Sequence, residues 1–139
     1  MPTLQPFGVH SFILRIPDID TVGFFMQCSG LELTFDVYEY HEGGNNDFVH
    51  RLPGNLRYPN LVLSRGLTRE DTLLKWFLAT SSGAERKEIT LTLKTADAER
   101  TWTFADAFPV KWVGPQIDSS GSDIATEMLE IAHAGLKMG

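Results

Sequence analysis

The feature that most constrains the fold is an alternation of apolar and polar side chains with a period of two. It is clearest from Leu31 to Tyr38, where leucine, phenylalanine and valine alternate with acidic and hydroxylated residues. Successive side chains of a β-strand point to opposite faces, so this pattern predicts a strand with one apolar and one polar face. The alternation slips from Tyr38 to His41, which predicts a bulge or the end of the strand.

Shorter runs of the same kind recur along the chain. They predict further strands at residues 7–17, 22–28, 60–67, 88–94 and 101–112. We expect Pro109 to break the last run and Gly114 with Pro115 to close it, because proline cannot donate a hydrogen bond to a sheet. The apolar residues of that run are expected on one side: Trp102, Phe104, Phe108, Val110 and Trp112. The pattern therefore predicts a mainly β chain.

One helix is predicted at about residues 68–80. Thr68 can cap its first turn, and Asp71 occupies the capping-box position three residues later. An apolar stripe follows at helical spacing, and Ser81-Ser82-Gly83 ends the helix. The stripe consists of Leu73, Leu74, Phe77 and Leu78.

The last segment, Asp123 to Leu136, fits two periods. Local propensity and an apolar stripe through Met128 and Ile131 favour a helix. An alternation through Glu127, Leu129 and Ile131 fits a strand as well. The residues alone favour the helix.

A long connection is predicted from Glu42 to Pro59. Its about eighteen residues exceed the usual ~12–15 of an unstructured connection, and Pro53-Gly54 predicts the centre of a type II turn. The segment nevertheless carries apolar side chains, namely Phe48, Val49, Leu52, Leu56 and Tyr58. These could pack back on the same domain as an Ω-loop, or be covered by a neighbouring subunit, and periodicity does not separate the two.

The composition suits a single folded domain. The chain has 139 residues, of which 42% are hydrophobic, with one cysteine and a net charge of −6. Such a chain can bury roughly two-thirds of the surface that its unfolded form exposes. No apolar stretch approaches the ~20 residues of a membrane span, and no signal peptide is apparent, so we expect folding in the cytoplasm. Without a basic patch, sequence-specific nucleic-acid binding is not expected.

Motifs that carry chemistry are absent from the sequence. There is no P-loop, dinucleotide fingerprint, nucleophile elbow or Cys-x-x-Cys. A metal cluster could be sought in His41, Glu42, Asp47 and His50, but the glycine-rich spacing favours solvated loop residues. Cys28 is expected to be a small, buried, unreactive thiol. We therefore expect no enzymatic activity, no metal and no cofactor.

Four stretches resemble the inner-tube proteins of contractile phage tails and extracellular contractile injection systems. Residues 38–54, YEYHEGGNNDFVHRLPG, resemble that family's signature EYREGGDNDFVHKLPG. The likeness continues through residues 58–68, 108–115 and 124–136, and so spans nearly the whole chain. His41, Asn45 and Phe108 depart from the pattern, where Arg, Asp and Trp are common. The family is also similar to the haemolysin-coregulated protein of type VI secretion.

The resemblance implies a small β-barrel or two-sheet sandwich with one α-helix, forming a single tail-tube domain over residues 1–139. It makes the last segment a strand, which overrides the helix expected from propensity. It further implies a homo-hexameric ring that stacks into a rigid hollow tube inside a sheath, with baseplate, spike and terminator proteins as partners. The cargo would be a protein effector or phage DNA, and the tube would be assembled in the cytoplasm as part of a phage tail or extracellular particle.

The resemblance also assigns roles to particular residues. The long loop would reach between subunits and rings, which places in the contact Glu42, Gly43, Gly44, Asn45, Asn46, Asp47, Phe48, Val49, His50, Arg51, Leu52 and Tyr58. If polar strand faces line the lumen, the candidates for its wall are Glu32, Thr34 and Asp36. The alternative function is a monomeric β-barrel that binds a small ligand, which would need a hollow apolar interior.

Overall fold

The computed structural model describes residues 11–17, 27–41, 49–67, 71–83, 86–95, 98–115 and 125–138. The chain divides into two compact units. The hairpin unit comprises Gly30–Pro59, and the main unit comprises the residues on either side of it. Among the described residues, no helix is long and apolar enough to cross a membrane.

The elements of the main unit are mostly strands. They are β1 (Ser11–Arg15), β2 (Gln27–Ser29), β5 (Leu61–Gly66), α1 (Thr72–Ser82), β6 (Lys87–Lys94), β7 (Glu99–Val113), β8 (Thr126–Ala132) and β9 (Leu136–Met138). The hairpin unit contains β3 (Thr34–Tyr40) and β4 (His50–Arg57). The predicted strands at 7–17 and 22–28 are thus seen in their described parts, and residues 1–10 and 21–26 lie outside the described residues.

The strands of the main unit form one antiparallel sheet. Its order is β1-β6-β7-β8-β5-β2, with β9 beside β7. No pairing joins β1 to β2 within the described residues, so the sheet is open there and the barrel alternative of the predicted fold is not closed in that part of the chain. The described residues, mainly strands with one helix, confirm the predicted fold class.

The long strand β7 continues through Pro109, where we predicted a break. It pairs with β6 over residues 99–107 and with β8 from Phe108 onward, and the register shifts once in each pairing. The first shift coincides with Asp106, whose φ of 49° lies in the left-handed region. Each shift inserts an extra residue and so reverses the side that the following residues face. This is why Pro109 is buried while Val110, predicted to lie on the side of Phe104, is exposed.

One hydrophobic core joins the main sheet to α1. The fully buried side chains include Phe104, Leu63, Leu129 and Ile131. Trp102 and Trp112 pack against this core and are partly buried. Side chains therefore fill the interior that the ligand-binding alternative would leave hollow.

The helix differs in detail from its prediction. It begins at Thr72 after Asp71 as N-cap, and Asp71 makes no capping hydrogen bond through its side chain. The predicted cap, Thr68, lies outside the described residues. Its buried residues are Leu73 and Trp76, whereas Leu78, predicted to be part of the apolar stripe, is exposed. The predicted end is confirmed, since Ser82 is the last helical residue and Gly83 the C-cap.

The C-terminal segment is a pair of strands, as the resemblance implied and as local propensity did not. In β8 the buried residues are Glu127, Leu129 and Ile131, so the alternation is the period that the fold uses. Tertiary pairing on both edges of β8 supplies backbone hydrogen bonds that outweigh the weak local preference for helix.

Within the hairpin unit, the predicted loop is partly a strand. Residues 50–57, including the predicted Pro53-Gly54 turn, form β4 and pair antiparallel with β3. Strand β3 begins at Thr34 rather than Leu31 and continues through Tyr38 to Tyr40, where we predicted it to slip. The irregularity falls instead between Phe35 and Val37 in the pairing.

Candidate functional site

The hairpin unit carries an exposed apolar surface. Phe35 lies opposite Leu56, and Val37 lies opposite Pro53. Opposed residues of an antiparallel pair share a face, as do residues two apart in one strand. We call these four side chains the apolar hairpin face. Phe35 is 56% exposed, Val37 59% and Leu56 47%.

The opposite face of the hairpin is polar and aromatic. The Arg57 guanidinium donates from Nε to both carboxylate oxygens of Asp36, at 2.8 Å each. Tyr40 and His50 are cross-strand partners whose ring centroids are 6.3 Å apart. Both ion-pair side chains are well exposed, so the pair contributes only about 0–1 kcal/mol to stability. We call this side the polar hairpin face.

The register shift of the hairpin is built around Pro53 and Gly54. Between Phe35 and Val37 the partner strand advances from Leu56 to Pro53, so β4 carries one residue more than β3. Proline tolerates this position because a bulge does not require its missing N–H. A Cβ on Gly54 would lie 2.7 Å from Cε2 of Tyr38 and 3.0 Å from the Asp36 carbonyl oxygen. Glycine at this position therefore leaves room for the Tyr38 ring beside β4.

The apolar hairpin face is larger than a single exposed side chain. Further apolar groups of the unit are exposed outside this face: Leu31, Leu33 and Val49 outside the strands, and Tyr38, Tyr40 and Leu52 on the polar hairpin face. Contiguous apolar surface on a folded chain marks an interaction site, and a two-stranded hairpin is only marginally stable by itself in water. An exposed apolar surface of this kind is typical of a contact between proteins.

Residues 9–137 match the family model described as "T4-like virus tail tube protein gp19". This match covers nearly the whole chain, including both compact units. The chain belongs to the T4-like virus tail tube family. It is therefore a structural tube subunit, and the predicted resemblance is confirmed. No curated protein matches the chain significantly.

Solved structures similar to this tail tube subunit come from contractile injection systems. One, from the "PVC sheath/tube terminator in extended state", is 27% identical with a TM-score of 0.84, over 99% of each chain. Another, from the "PVC sheath-tube complex in extended state", is 26% identical with a TM-score of 0.82, over 98% of this chain and 93% of that chain. Hcp1 from Flavobacterium johnsoniae is 17% identical with a TM-score of 0.56, over 94% of this chain and 95% of the other, and shares the fold.

The residues predicted for the subunit contact divide into two groups. Seven of them, Glu42 to Phe48, lie outside the described residues. Val49 precedes β4, and three of the others lie in its first half, namely His50, Arg51 and Leu52. Tyr58 follows the strand and is half-buried.

The three residues predicted for the lumen lie at the start of the hairpin unit. Thr34 and Asp36 are in β3 and share the polar hairpin face. Glu32 precedes the strand, and its backbone N–H donates to the Gly30 carbonyl at 2.9 Å. The structure adds what the sequence did not indicate, namely that Asp36 is paired with Arg57.

Sequence reasoning missed the residues of the apolar hairpin face. Phe35 and Val37 were not among the predicted contact residues, although the alternation through them was the clearest pattern in the chain. The missed signal was the apolar face itself. A strand with one apolar face needs a covering layer, either from the same chain or from another copy.

Two groups considered for chemistry remain without a chemical role in the described residues. No group of three or more potential metal ligands occurs there, while Glu42 and Asp47 of the considered cluster lie outside the described part. Burial raises the pKa of the Cys28 thiol to about 11. A thiol is reactive as its thiolate, so this cysteine is held in its unreactive form at neutral pH.

Proposed function

We propose that six copies of this tail tube subunit form a ring, and that rings stack into a rigid hollow tube. The tube would be driven through a target envelope and conduct cargo, as part of a contractile injection system or phage tail. The observation that carries the proposal is the apolar hairpin face. Phe35, Val37 and Leu56 are about half exposed in the single chain, and burying such a face between copies is the favourable alternative to leaving it in water.

The segment next to this face is proposed to complete the contact. Residues 50–57 form the second strand of the hairpin, and the segment 42–58 carries the apolar groups Val49 and Leu52, which are both exposed. An identical neighbour offers the same apolar hairpin face to every copy around a ring, since closed homo-oligomers repeat one contact. We therefore assign the predicted residues of this segment to contacts between subunits and rings.

The sheet edges support the same assembly. Strands β1 and β2 end the sheet of the main unit in its described part. An unpaired edge exposes backbone N–H and C=O groups that a neighbouring strand can satisfy. Pairing between copies would cover these edges and make a continuous wall out of open sheets.

Glu32, Thr34 and Asp36 are proposed to line the lumen. Because Arg57 compensates the charge of Asp36, Glu32 would supply most of the local negative potential. A polar wall of negative charge repels anionic cargo and so lets it pass without adsorption. The cargo would be a protein effector or phage DNA.

The remaining assignments follow from this role. The whole chain would work as one tail-tube domain, since the family match runs through both units. Assembly would take place in the cytoplasm, with sheath, baseplate, spike and terminator proteins as partners. The family is structural, and we propose that this member has no enzymatic activity.

Negative-stain imaging and size-exclusion chromatography of the purified subunit test the proposal. We expect rings with sixfold symmetry, and tubes at higher concentration. A particle of 15.6 kDa that stays monomeric at high concentration would contradict it.

A matched pair of variants tests the apolar hairpin face itself. Val37→Asp should abolish rings, because a carboxylate would be buried in the contact without a partner. Leu78→Asp places the same group at a similarly exposed position of α1, 55% exposed against 59% for Val37, and should leave rings intact. If Val37→Asp forms rings as readily as Leu78→Asp, the hairpin face is not the contact.

The lumen assignment needs its own variants. Glu32→Lys should preserve rings and retain anionic cargo in the tube, whereas Asp36→Arg combined with Arg57→Asp reverses the ion pair at constant charge and should pass cargo normally. If cargo passes normally through tubes of the Glu32→Lys variant, Glu32 does not line the lumen.

A further inference from the structure

A buried polar cluster joins three strands of the main unit. Arg65 of β5 and Glu127 of β8 are direct cross-strand partners, with Arg65 Nε donating to Glu127 Oε1 at 2.7 Å. Trp112 of β7 donates from Nε1 to the second carboxylate oxygen, Oε2, at 3.0 Å. The side chains of Arg65 and Glu127 are only 6% and 2% exposed. We call these three residues the polar trio.

The trio collects residues from three of the four stretches that resemble the tube proteins. Arg65 lies in residues 58–68, Trp112 in 108–115 and Glu127 in 124–136. These segments are distant in the sequence, and the sheet places them on three adjacent strands. None of the three residues belongs to the apolar hairpin face or the predicted lumen, so the assembly function does not account for them.

Stability alone does not explain a buried ion pair. Removing two charges from water costs about as much as their attraction returns, and apolar residues of similar volume often serve equally well or better. A buried ion pair can select one folded arrangement over others, because any arrangement that separates the two residues leaves a charge buried without its partner.

The apolar pattern of β5 and β8 permits an alternative pairing register of these two strands. The inward residues are Leu61, Leu63 and Arg65 on β5, opposite Ile131, Leu129 and Glu127 on β8. A slip of one residue would turn each inward side chain of β8 outward, so burial excludes it. A slip of two residues keeps every side chain on its face and still opposes leucine with leucine or isoleucine. Burial does not exclude that slip.

We propose that the polar trio selects the register of β8 between β5 and β7. A two-residue slip in one direction places Arg65 opposite Leu129, and in the other it places Glu127 opposite Leu63. Either slip buries an arginine or a glutamate against leucine, which only the observed register avoids. The inference concerns folding of the single chain and holds whether or not copies assemble.

Gly114 leaves room for the position of Trp112 in the trio. A Cβ on Gly114 would lie 2.7 Å from Cη2 of Trp112, so any larger residue would displace the indole ring. That displacement would disturb the hydrogen bond from the indole N–H to Glu127. The close approach of the Trp112 ring explains why a glycine follows two residues after this tryptophan.

Disulfide trapping between outward-facing residues can read the register. The background is Cys28→Ala, which removes the native thiol. Val62→Cys with Glu130→Cys reports the observed register, in which the two are direct partners. Ser64→Cys with Glu130→Cys, and Val62→Cys with Met128→Cys, report the two slips, because these residues are diagonal in the observed register at about 7–8 Å, too far for a disulfide.

With the trio intact, we expect only the Val62–Glu130 pair to cross-link on refolding. Replacing the ion pair by apolar residues of similar size, Arg65→Met with Glu127→Leu, should let at least one slip reporter cross-link at a tenth or more of the native yield. A second variant, Glu127→Leu with Leu129→Glu, keeps the composition and moves the carboxylate two positions along the same face. It should shift the main cross-link to the Ser64–Glu130 pair.

Mass spectrometry of the soluble fraction identifies the cross-linked pairs, so a poor yield of one variant does not prevent the measurement in the other. Cross-linking confined to the Val62–Glu130 pair in either soluble variant would overturn the proposal. Slip reporters that cross-link equally with the trio intact would overturn it too, because the register would then be unselected in the native chain.

Discussion

Strands β5 and β3 have the same alternating pattern and opposite surroundings. In β5, Leu61 and Leu63 are fully buried in the core of the main unit. In β3, Phe35 and Val37 alternate in the same way and remain more than half exposed. The alternation therefore indicates that a face is to be covered, without indicating whether the covering comes from the same chain or from another copy.

The largest test of this contrast compares two phenylalanines. Phe104→Ala should lower the free energy of unfolding by about 3–5 kcal/mol, because it opens a cavity at a fully buried site. Phe35→Ala should change the stability of the dissociated subunit by no more than about 0.5 kcal/mol, yet weaken ring formation. Urea denaturation and size-exclusion chromatography measure the two effects. Equal losses of stability would mean that Phe35 is covered within its own chain.

The two ion pairs extend the comparison to charged groups. Glu127→Ala should cost about 3–5 kcal/mol of unfolding free energy, since it leaves the buried Arg65 guanidinium without its carboxylate. Asp36→Ala in the hairpin should cost about 0–1 kcal/mol, because water solvates Arg57 when its partner is gone. Thermal or urea unfolding distinguishes them. A cost for Asp36→Ala near that for Glu127→Ala would show that the hairpin pair is shielded from water.

Two glycines beneath aromatic rings provide a smaller effect. Gly114→Ala should lower the unfolding free energy by about 1–3 kcal/mol, because the Trp112 ring must move away from the new methyl group. Gly54→Ala meets Tyr38 and the Asp36 carbonyl in the same way, but in the hairpin. We expect Gly54→Ala to weaken ring formation and to leave the unfolding free energy of the subunit nearly unchanged. A clear loss of unfolding free energy with normal ring formation would mean that the hairpin stabilises the single chain instead.

The last effect on stability concerns the thiol of Cys28. Its pKa is raised from 9.0 to about 11 by burial, so the folded state holds the proton more tightly than the unfolded state. The stabilisation is complete below pH 9 and is lost as the pH rises from 9 to 11. Unfolding measured across this range, with Cys28→Ala as reference, should show an extra loss of stability in the native chain that grows as the pH rises. Parallel curves would mean that the thiol is solvated.

Labelling with a thiol reagent compares the reactivity of Cys28 with that of a thiol placed in the hairpin. At pH 8, Val37→Cys in a Cys28→Ala background should react at least about tenfold faster than native Cys28, because an exposed thiol has an ordinary pKa and a larger thiolate fraction. Ring formation should then protect the hairpin thiol from the reagent. Equal labelling in rings and in dissociated subunits would argue against contact at this position.

Much of the fold could be predicted from local patterns. The described strands β5 and β6 fall within one residue of their predicted ends, and α1 ends where Ser82 and Gly83 indicated. These elements have one clear period and turn residues at their borders. Strand β4 was missed because Pro53 and Gly54 indicate a turn locally, whereas a bulge opposite β3 accommodates them.

The candidate site was predictable only in part. The apolar side chains near residues 48–58 could pack on their own domain or contact a neighbour, and Phe35 and Val37 could not be assigned to a contact without knowing that they are exposed in the single chain. The pairing of Asp36 with Arg57 depends on a register shift that no local pattern reveals. Such contacts join residues about twenty positions apart, beyond the reach of periodicity.

By itself, the sequence determined the periods of its strands, the helix α1 and the resemblance to its family, because these depend on residues close together along the chain. Only the tertiary structure decided that residues 126–132 form a strand, that β7 passes through Pro109, and that Arg65, Trp112 and Glu127 meet. Backbone pairing with strands distant in sequence adds free energy that local preference does not contain, and so it selects between conformations that the local sequence leaves nearly equal.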